Sequence, residues 1–180
     1  MEKFKIVSPD WTKIDVANAK FILQEAKDYL KCQEDNSQRI TNRAFTILSI
    51  LIPILTALLV FIVQQKIHPS FNFGFVVFLC CSVIALMMVM FLLAKIVFPG
   101  YFFTVGRPPR DLCIPEFLGF GIETELAHLA LILNEIEANQ YKIDCNGAQI
   151  IQRTNRLKFA MIVLGLIVID TLVYLCLKVL

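Results

Sequence analysis

The chain has 180 residues, of which 57% carry apolar side chains and only 18% are charged, and its mean hydropathy is +0.68. A soluble domain has about a quarter of its residues charged, so this composition excludes a purely soluble protein. The 17 Lys and Arg residues against 15 Asp and Glu residues leave a net charge of +2, without the clustered basic excess of a nucleic-acid surface. The six cysteines show no C-x-x-C spacing, which predicts free thiols in a reducing compartment.

The N-terminal segment, residues 1–43, is predicted to be helical. The sequence from Ser8 to Trp11 is typical of a helix start, because it combines a capping residue with a proline in the first turn. No proline or glycine lies between Trp11 and Leu51, which predicts either one helix or two helices joined near residues 34–37. Apolar residues then recur at helical spacing and form a stripe: Ala19, Leu23, Ala26 and Leu30.

Three segments are long and apolar enough to cross a hydrocarbon core of about 30 Å. The first begins at Ala44 within 22 residues that carry no charge, and the second covers about Phe73 to Ala94. A turn-forming cluster, His68-Pro69-Ser70, separates them, so residues 44–97 are predicted to form a transmembrane hairpin. The third span lies within residues 159–180 and is interrupted by one acidic residue, Asp170.

The distribution of basic residues predicts the orientation in the membrane. Fifteen Lys and Arg residues lie before the first span or between the second and third spans, against one in the hairpin turn and one in the tail. Because cytoplasmic loops carry the excess of basic residues, the N-terminus and the long central connection are predicted to be cytoplasmic.

The central connection, residues 98–158, is predicted to begin as an ordered loop at the membrane interface, because it is rich in proline, aromatic and basic residues. A helix follows, with possible weak points at Asn139, Asn146 and Gly147. Its apolar residues have the spacing of an a/d seam: Ile122, Leu126, Leu129, Leu133 and Ile136. This seam and the N-terminal stripe can either bury each other or pair between subunits. The positions assigned to subunit assembly are Leu23, Leu30, Leu126, Leu129 and Leu133.

The predicted fold is therefore an all-α membrane protein with three transmembrane helices and a helical cytoplasmic layer. Polar residues inside the spans are the main candidate site. Counted at about 1.5 Å per residue from the cytoplasmic boundaries, Asp170 lies about 16 Å deep, Thr56 about 18 Å and Ser82 about 20 Å. The three side chains could line a pore, or Asp170 could be protonated and bonded between helices.

Other candidate residues support weaker hypotheses. Glu125 and His128 lie three residues apart on one helix face, a fragment of a carboxylate metal site or of an acid–base pair, but no second element completes it. We therefore predict no catalytic residue, no metal and no other cofactor. The basic cluster beside the third span is interpreted as a membrane-interface anchor, with contact to anionic lipid or RNA as the alternative: Arg153, Arg156 and Lys158.

The layout also resembles a known group of proteins. Residues 35–44 lead into a two-span hairpin, and Tyr141, Asn146 and the sequence Asn155-Arg156-Leu157-Lys158 precede another span. This arrangement resembles small prokaryotic membrane effectors of antiviral systems. The membrane accessory proteins encoded beside RNA-targeting type VI CRISPR nucleases are the more similar group, and the membrane effectors of cyclic-nucleotide defence operons are the alternative.

The resemblance implies a homo-oligomer in the bacterial inner membrane that permeabilises or depolarises the host membrane during infection, enhancing CRISPR RNA-targeting immunity. It also implies membrane lipid and a CRISPR nuclease or another soluble defence protein as partners. Some of these accessory proteins have a ribonuclease motif in which an arginine precedes a histidine by four to six residues. Neither His68 nor His128 has such an arginine, so the expectation is a protein that is not an enzyme. The alternative function is a membrane-anchored scaffold or sensor that docks a soluble partner without conductance.

Overall fold

The computed structural model describes residues 6, 10–67, 73–98, 100–107, 113 and 123–179. All regular structure in these ranges is helical. A short 3-10 turn at Trp11–Lys13 is followed by α1 (Val16–Ile67), α2 (Phe73–Val97) and α3 (Thr124–Val179). The all-α prediction is confirmed.

Each of the three α-helices contains a stretch that is long and apolar enough to cross a membrane, judged by length and composition. This agrees with the three predicted spans. The hairpin turn around His68 lies outside the described residues. The placement of the polar parts on the cytoplasmic side stays a prediction.

The start of α1 differs from the sequence-based prediction. Only the 3-10 turn forms at Trp11–Lys13, and Ser8 and Pro9 lie outside the described residues. The α-helix begins at Val16 because Asp15 caps it. The Asp15 carboxylate accepts a hydrogen bond from the backbone N–H of Ala17 at 2.9 Å, and its carbonyl oxygen accepts one from Ala19 at 3.0 Å. From there α1 runs without a break through residues 34–37, so the single-helix alternative is the one observed.

The chain divides into two compact units. The first contains Met1–Ser37 and Tyr101–Ile150, and the second contains Gln38–Gly100 and Ile151–Leu180, so α1 and α3 each contribute to both. The core of the first unit combines the N-terminal stripe with the seam of α3. Ala19 is buried with Leu129, Ile132 and Ile136, and partly buried side chains pack against this cluster: Ile6, Ile14, Val16, Leu23 and Leu133. The two stripes therefore bury each other within one chain.

The described start of the central connection, residues 101–107, is irregular backbone bonded to α3. The side-chain amide of Asn146 donates to the carbonyl oxygen of Phe103 at 2.7 Å and accepts from the Phe103 N–H at 3.0 Å. Lys142 donates to the carbonyl oxygens of Thr104 and Gly106. These bonds attach residues 103–106 to α3, and the order of the rest of the loop stays a prediction. Its position at the membrane interface stays a prediction, and Pro108, Pro109, Arg110 and Pro115 lie outside the described residues.

The second unit is organised around α2. This helix buries a continuous apolar stripe: Leu79, Val83, Leu86, Val89, Leu93 and Ile96. Ala44 of α1 and Ala160 of α3 are fully buried, and such small residues let helices approach closely in membrane proteins. An aromatic stack joins α2 to α3, with ring centroids of Phe78 and Tyr174 separated by 4.5 Å.

All six cysteines are free thiols, as predicted.

Candidate functional site in the apolar helices

Asp170 is an ionisable side chain on an exposed apolar face of α3. Among the described residues it has neither a hydrogen-bond partner nor an ion-pair partner. The apolar side chains around it are each more than half exposed: Val168, Ile169, Leu172 and Val173. The carboxyl group therefore has no polar partner in the part of its own chain that the structure describes.

The hydroxyl groups of the other two predicted pore residues are already bonded. Thr56 Oγ1 donates to the carbonyl oxygen of Ile52 at 3.0 Å, and Ser82 Oγ donates to that of Phe78 at 3.0 Å. Such bonds to the preceding turn satisfy a hydroxyl within its own helix. The structure brings none of the three predicted residues into hydrogen-bond contact with another. Of the three, only Asp170 lacks a hydrogen-bond partner in the described part of the chain.

The free-energy cost of an unpartnered carboxyl group in a membrane span depends on what surrounds it. A carboxylate near the centre of a membrane span costs about 2.5 to 3.5 kcal/mol for insertion, and such residues generally face protein or a water-filled cavity. The described part of the chain supplies no donor for Asp170. A second copy of the chain or water in a lumen would supply one.

Arg153 has a different environment from the membrane-interface anchor that the sequence predicted. Only 3% of its surface is exposed. Its guanidinium donates to the carbonyl oxygen of Ile96 at 3.0 Å and to Thr41 Oγ1. Because Ile96 lies in the last turn of α2, where carbonyl groups lack helical partners, Arg153 caps α2 and ties it to α1. Burial lowers the pKa of the Arg153 guanidinium.

The other two members of the basic cluster are more accessible than Arg153. Arg156 is half-buried and Lys158 is exposed. Their accessibility is compatible with the interface anchor, which stays a prediction for these two residues. Arg153 is corrected to a buried residue that connects the helices, because α1 and α2 cover it.

Arg153 belongs to a buried stripe on α3 that the sequence analysis missed. Residues at seven-residue spacing are all buried: Ile132, Asn139, Asn146, Arg153 and Ala160. The stripe has the seven-residue period of the apolar seam but a different register, and its middle three members are polar. Extending the seam past Ile136 leads to positions 140, 143, 147 and 150, so the seam would not have predicted the burial of Asn139, Asn146 or Arg153. The amides were instead interpreted as weak points of a helix that proves continuous.

The predicted assembly positions lie in or beside the core of a single chain. Leu30 and Leu129 are buried, whereas Leu23, Leu126 and Leu133 are partly buried. Leu23 and Leu133 pack against the cluster that contains Leu129. Packing within the chain is thus observed for Leu23, Leu129 and Leu133. Ile122 lies outside the described residues.

The first unit also contains an open cavity of about 560 Å³ beside the loop. Arg107 and Lys142 line it, but both have structural partners. Arg107 Nε lies 3.1 Å from Glu135 Oε1, and the same guanidinium donates to Asn134. Burial lowers the pKa of Lys142, while the charge of Glu135 opposes this effect. The cavity therefore supplies less free positive charge than its lining indicates.

The remaining candidate pair, Glu125 and His128, lies exposed near the start of α3. His68 lies outside the described residues. Within the described ranges, no three His, Cys, Asp or Glu side chains form a group that could hold a metal ion. No geometry in this part of the chain joins Glu125 and His128 to a third functional group.

Comparisons of the chain with protein-family models, with curated proteins and with solved structures found no match.

Proposed function

We propose that the chain is a homo-oligomeric pore or membrane-depolarising effector whose Asp170 side chains face a water-containing lumen. The single observation that carries this proposal is Asp170, an ionisable group on an apolar helix face without a partner in the described part of its chain. An intramembrane acid without such a partner favours contact with water or with another subunit.

A homo-oligomer supplies both environments at once. Copies arranged around an axis bring their Asp170 residues towards a shared centre, where water can hydrate them. The proposed subunit contacts lie on exposed apolar faces of the helices, because the predicted seam residues already pack within one chain. One exposed stripe on α2 lies opposite its buried stripe: Ile84, Met87, Met88 and Phe91.

We propose a bacterial inner membrane as the location, with a cytoplasmic N-terminus, and antiviral defence beside an RNA-targeting CRISPR nuclease as the context. The basic-residue distribution supports the orientation. The context is supported by the architectural resemblance to membrane accessory proteins of type VI CRISPR systems. The oligomer is proposed to act as a membrane effector and not as an enzyme.

Ion and dye flux from liposomes that contain the purified chain tests the pore. The assay compares the protein alone with protein whose cytoplasmic face is exposed to lysate from infected cells. We expect flux in at least one condition, and we expect Asp170→Leu to insert and assemble normally while abolishing it. Asp170→Asn separates a role of the negative charge from a role of hydrogen bonding, because asparagine can form hydrogen bonds but carries no charge.

Thr171→Val is the matched control. Thr171 is adjacent to Asp170, but its hydroxyl donates to the carbonyl oxygen of Ile167 at 2.7 Å and is already satisfied. Flux should be unchanged in this variant. Normal flux in Asp170→Leu would remove Asp170 from the mechanism. Liposomes that stay tight in every condition would contradict the pore and favour the scaffold or sensor that docks a soluble partner.

A further inference from the structure

A cavity of about 470 Å³ opens between α1 and α3 within the second unit. Its lining changes in character along the helices. Asn42, Arg43 and Thr46 supply polar atoms, and the remaining lining is apolar: Ile47, Leu157 and Met161.

Four of the six lining residues follow the predicted membrane boundary; the exceptions are Thr46, which is polar inside the first predicted span, and Leu157, which is apolar before the third. Asn42 and Arg43 directly precede the first predicted span, whereas Ile47 lies one turn inside it. On α3, Leu157 precedes the third predicted span and Met161 lies inside it. The cavity therefore places a cation at the predicted headgroup level and apolar side chains towards the hydrocarbon.

Arg43 supplies the charge of this cavity. Its side chain is exposed, and no other described residue forms an ion pair or a hydrogen bond with its guanidinium. A guanidinium has five N–H donors in a planar fork that matches phosphate oxygens. All of these donors are available to a ligand.

Asn42 and Thr46, the other two polar residues of the cavity, differ in the hydrogen-bond donors that they leave free. The Asn42 side-chain oxygen accepts a hydrogen bond from Gln38 Nε2 at 3.3 Å, which leaves the amide hydrogens of Asn42 for another acceptor. The Thr46 hydroxyl donates to the carbonyl oxygen of Asn42 at 2.9 Å. Donors at the polar end therefore come from Arg43 and Asn42, and both favour an anion.

We infer that this cavity binds one anionic phospholipid, with its phosphate at Arg43 and Asn42 and an acyl chain along Ile47 and Met161. A basic pocket between membrane helices is a recognised type of headgroup site. A free phosphate would use only the polar end, whereas a lipid also covers the apolar lining. The inference rests on the membrane insertion in the proposed function and is independent of conductance.

Native mass spectrometry of the full chain in detergent tests the site by counting bound lipids during titration. The probes are phosphatidylglycerol and phosphatidylcholine with identical acyl chains. The wild type should retain one phosphatidylglycerol in preference to phosphatidylcholine. Arg43→Met should weaken phosphatidylglycerol binding about tenfold, equivalent to about 1.4 kcal/mol, and leave phosphatidylcholine binding unchanged.

Arg39→Met is the matched control, because Arg39 is exposed on the same helix but does not line the cavity. Its lipid binding should equal that of the wild type. Equal retention of both lipids by the wild type, or undiminished phosphatidylglycerol binding by Arg43→Met, would overturn the inference. So would displacement of the bound lipid by equimolar inorganic phosphate. Tight liposomes together with selective lipid retention would refute the pore and leave the lipid site standing.

Discussion

Two ionisable side chains of α3, Arg153 and Asp170, have opposite environments. The buried guanidinium of Arg153 finds acceptors on two other helices of its own chain, Thr41 and Ile96. The carboxyl group of Asp170 is exposed and finds no partner in the described part of the chain. Arg153 therefore stabilises the fold, whereas Asp170 is available for function.

Loss of the Arg153 guanidinium should destabilise the second unit. In Arg153→Met the carbonyl oxygen of Ile96 and the hydroxyl of Thr41 lose a charged donor. The free energy of unfolding should fall by about 1.5 to 3 kcal/mol, the value of a hydrogen bond to a charged group. Denaturant titration in detergent measures this change.

Arg156→Met is the control for that experiment, because no ion pair or hydrogen bond holds Arg156 among the described residues. Its free energy of unfolding should change by less than about 0.5 kcal/mol, because the substitution removes no such contact. Equal stability of Arg153→Met and the wild type would show that Arg153 does not hold the helices together.

Arg153 and Asp170 differ in how far their environments can be predicted from a single sequence. Asp170 is recognisable because a charge interrupts an apolar run, a property of the local sequence. The burial of Arg153 depends on Thr41 and Ile96, which are more than 50 positions away along the chain. A position beside a membrane span therefore gave no indication of burial, and Arg153 was interpreted as an interface anchor.

At the scale of elements, α3 holds the irregular loop through a side-chain amide. Asn146 is fully buried and pairs with both backbone groups of Phe103. Asn has a low helix propensity because its amide competes for backbone groups, which is why the sequence predicted a weak point there. In the structure the amide bonds to a different segment, so the contact with the loop overrides the local preference.

Removing that amide should loosen the loop without melting α3. Asn146→Leu eliminates two hydrogen bonds to Phe103 while keeping a side chain of similar size. The backbone N–H of Phe103 should then exchange with solvent at least tenfold faster, because its acceptor is gone. Hydrogen exchange measured by mass spectrometry detects the change.

Asn155→Leu makes the same substitution at an exposed position of α3 where the described residues provide no partner. Exchange at Phe103 should be unaffected by it. If Asn146→Leu left the Phe103 exchange rate at its wild-type value, the amide would not be the anchor of the loop.

At the scale of the whole molecule, composition and hydropathy predicted most of the architecture. The number of apolar helices and the all-α class follow from uncharged runs that are long enough to span a bilayer. The start of α1 was misplaced because Ser8 and Asp15 are both good capping residues, and local sequence does not rank them. The choice between pairing of the stripes within one chain and between chains required the packed structure.

Thiol labelling tests the membrane arrangement with cysteines that the chain already contains. Cys32 and the pair Cys80 and Cys81 are all exposed on the surface of the chain. A charged maleimide that cannot cross membranes should label Cys32 in inverted inner-membrane vesicles but not in right-side-out vesicles. Cys80 and Cys81 should stay unlabelled in both, because the predicted second span places them within the membrane.

Denaturation in detergent should make all of these thiols reactive, which controls for intrinsic reactivity. Labelling of Cys80 or Cys81 in intact vesicles would contradict the assignment of α2 as a membrane span. Labelling of Cys32 in right-side-out vesicles would contradict the predicted orientation.

The central claim is that the Asp170 carboxylate lines a conducting pathway, and chemical rescue tests it most directly. Asp170→Cys is prepared in a chain whose six native cysteines are alanine and which still supports liposome flux. Flux should be lost in this variant and should return when 2-carboxyethyl methanethiosulfonate rebuilds a carboxylate at position 170. Methyl methanethiosulfonate, which adds no charge, should restore nothing. Failure of the carboxylate reagent on fully modified protein, or equal rescue by both reagents, would contradict the account.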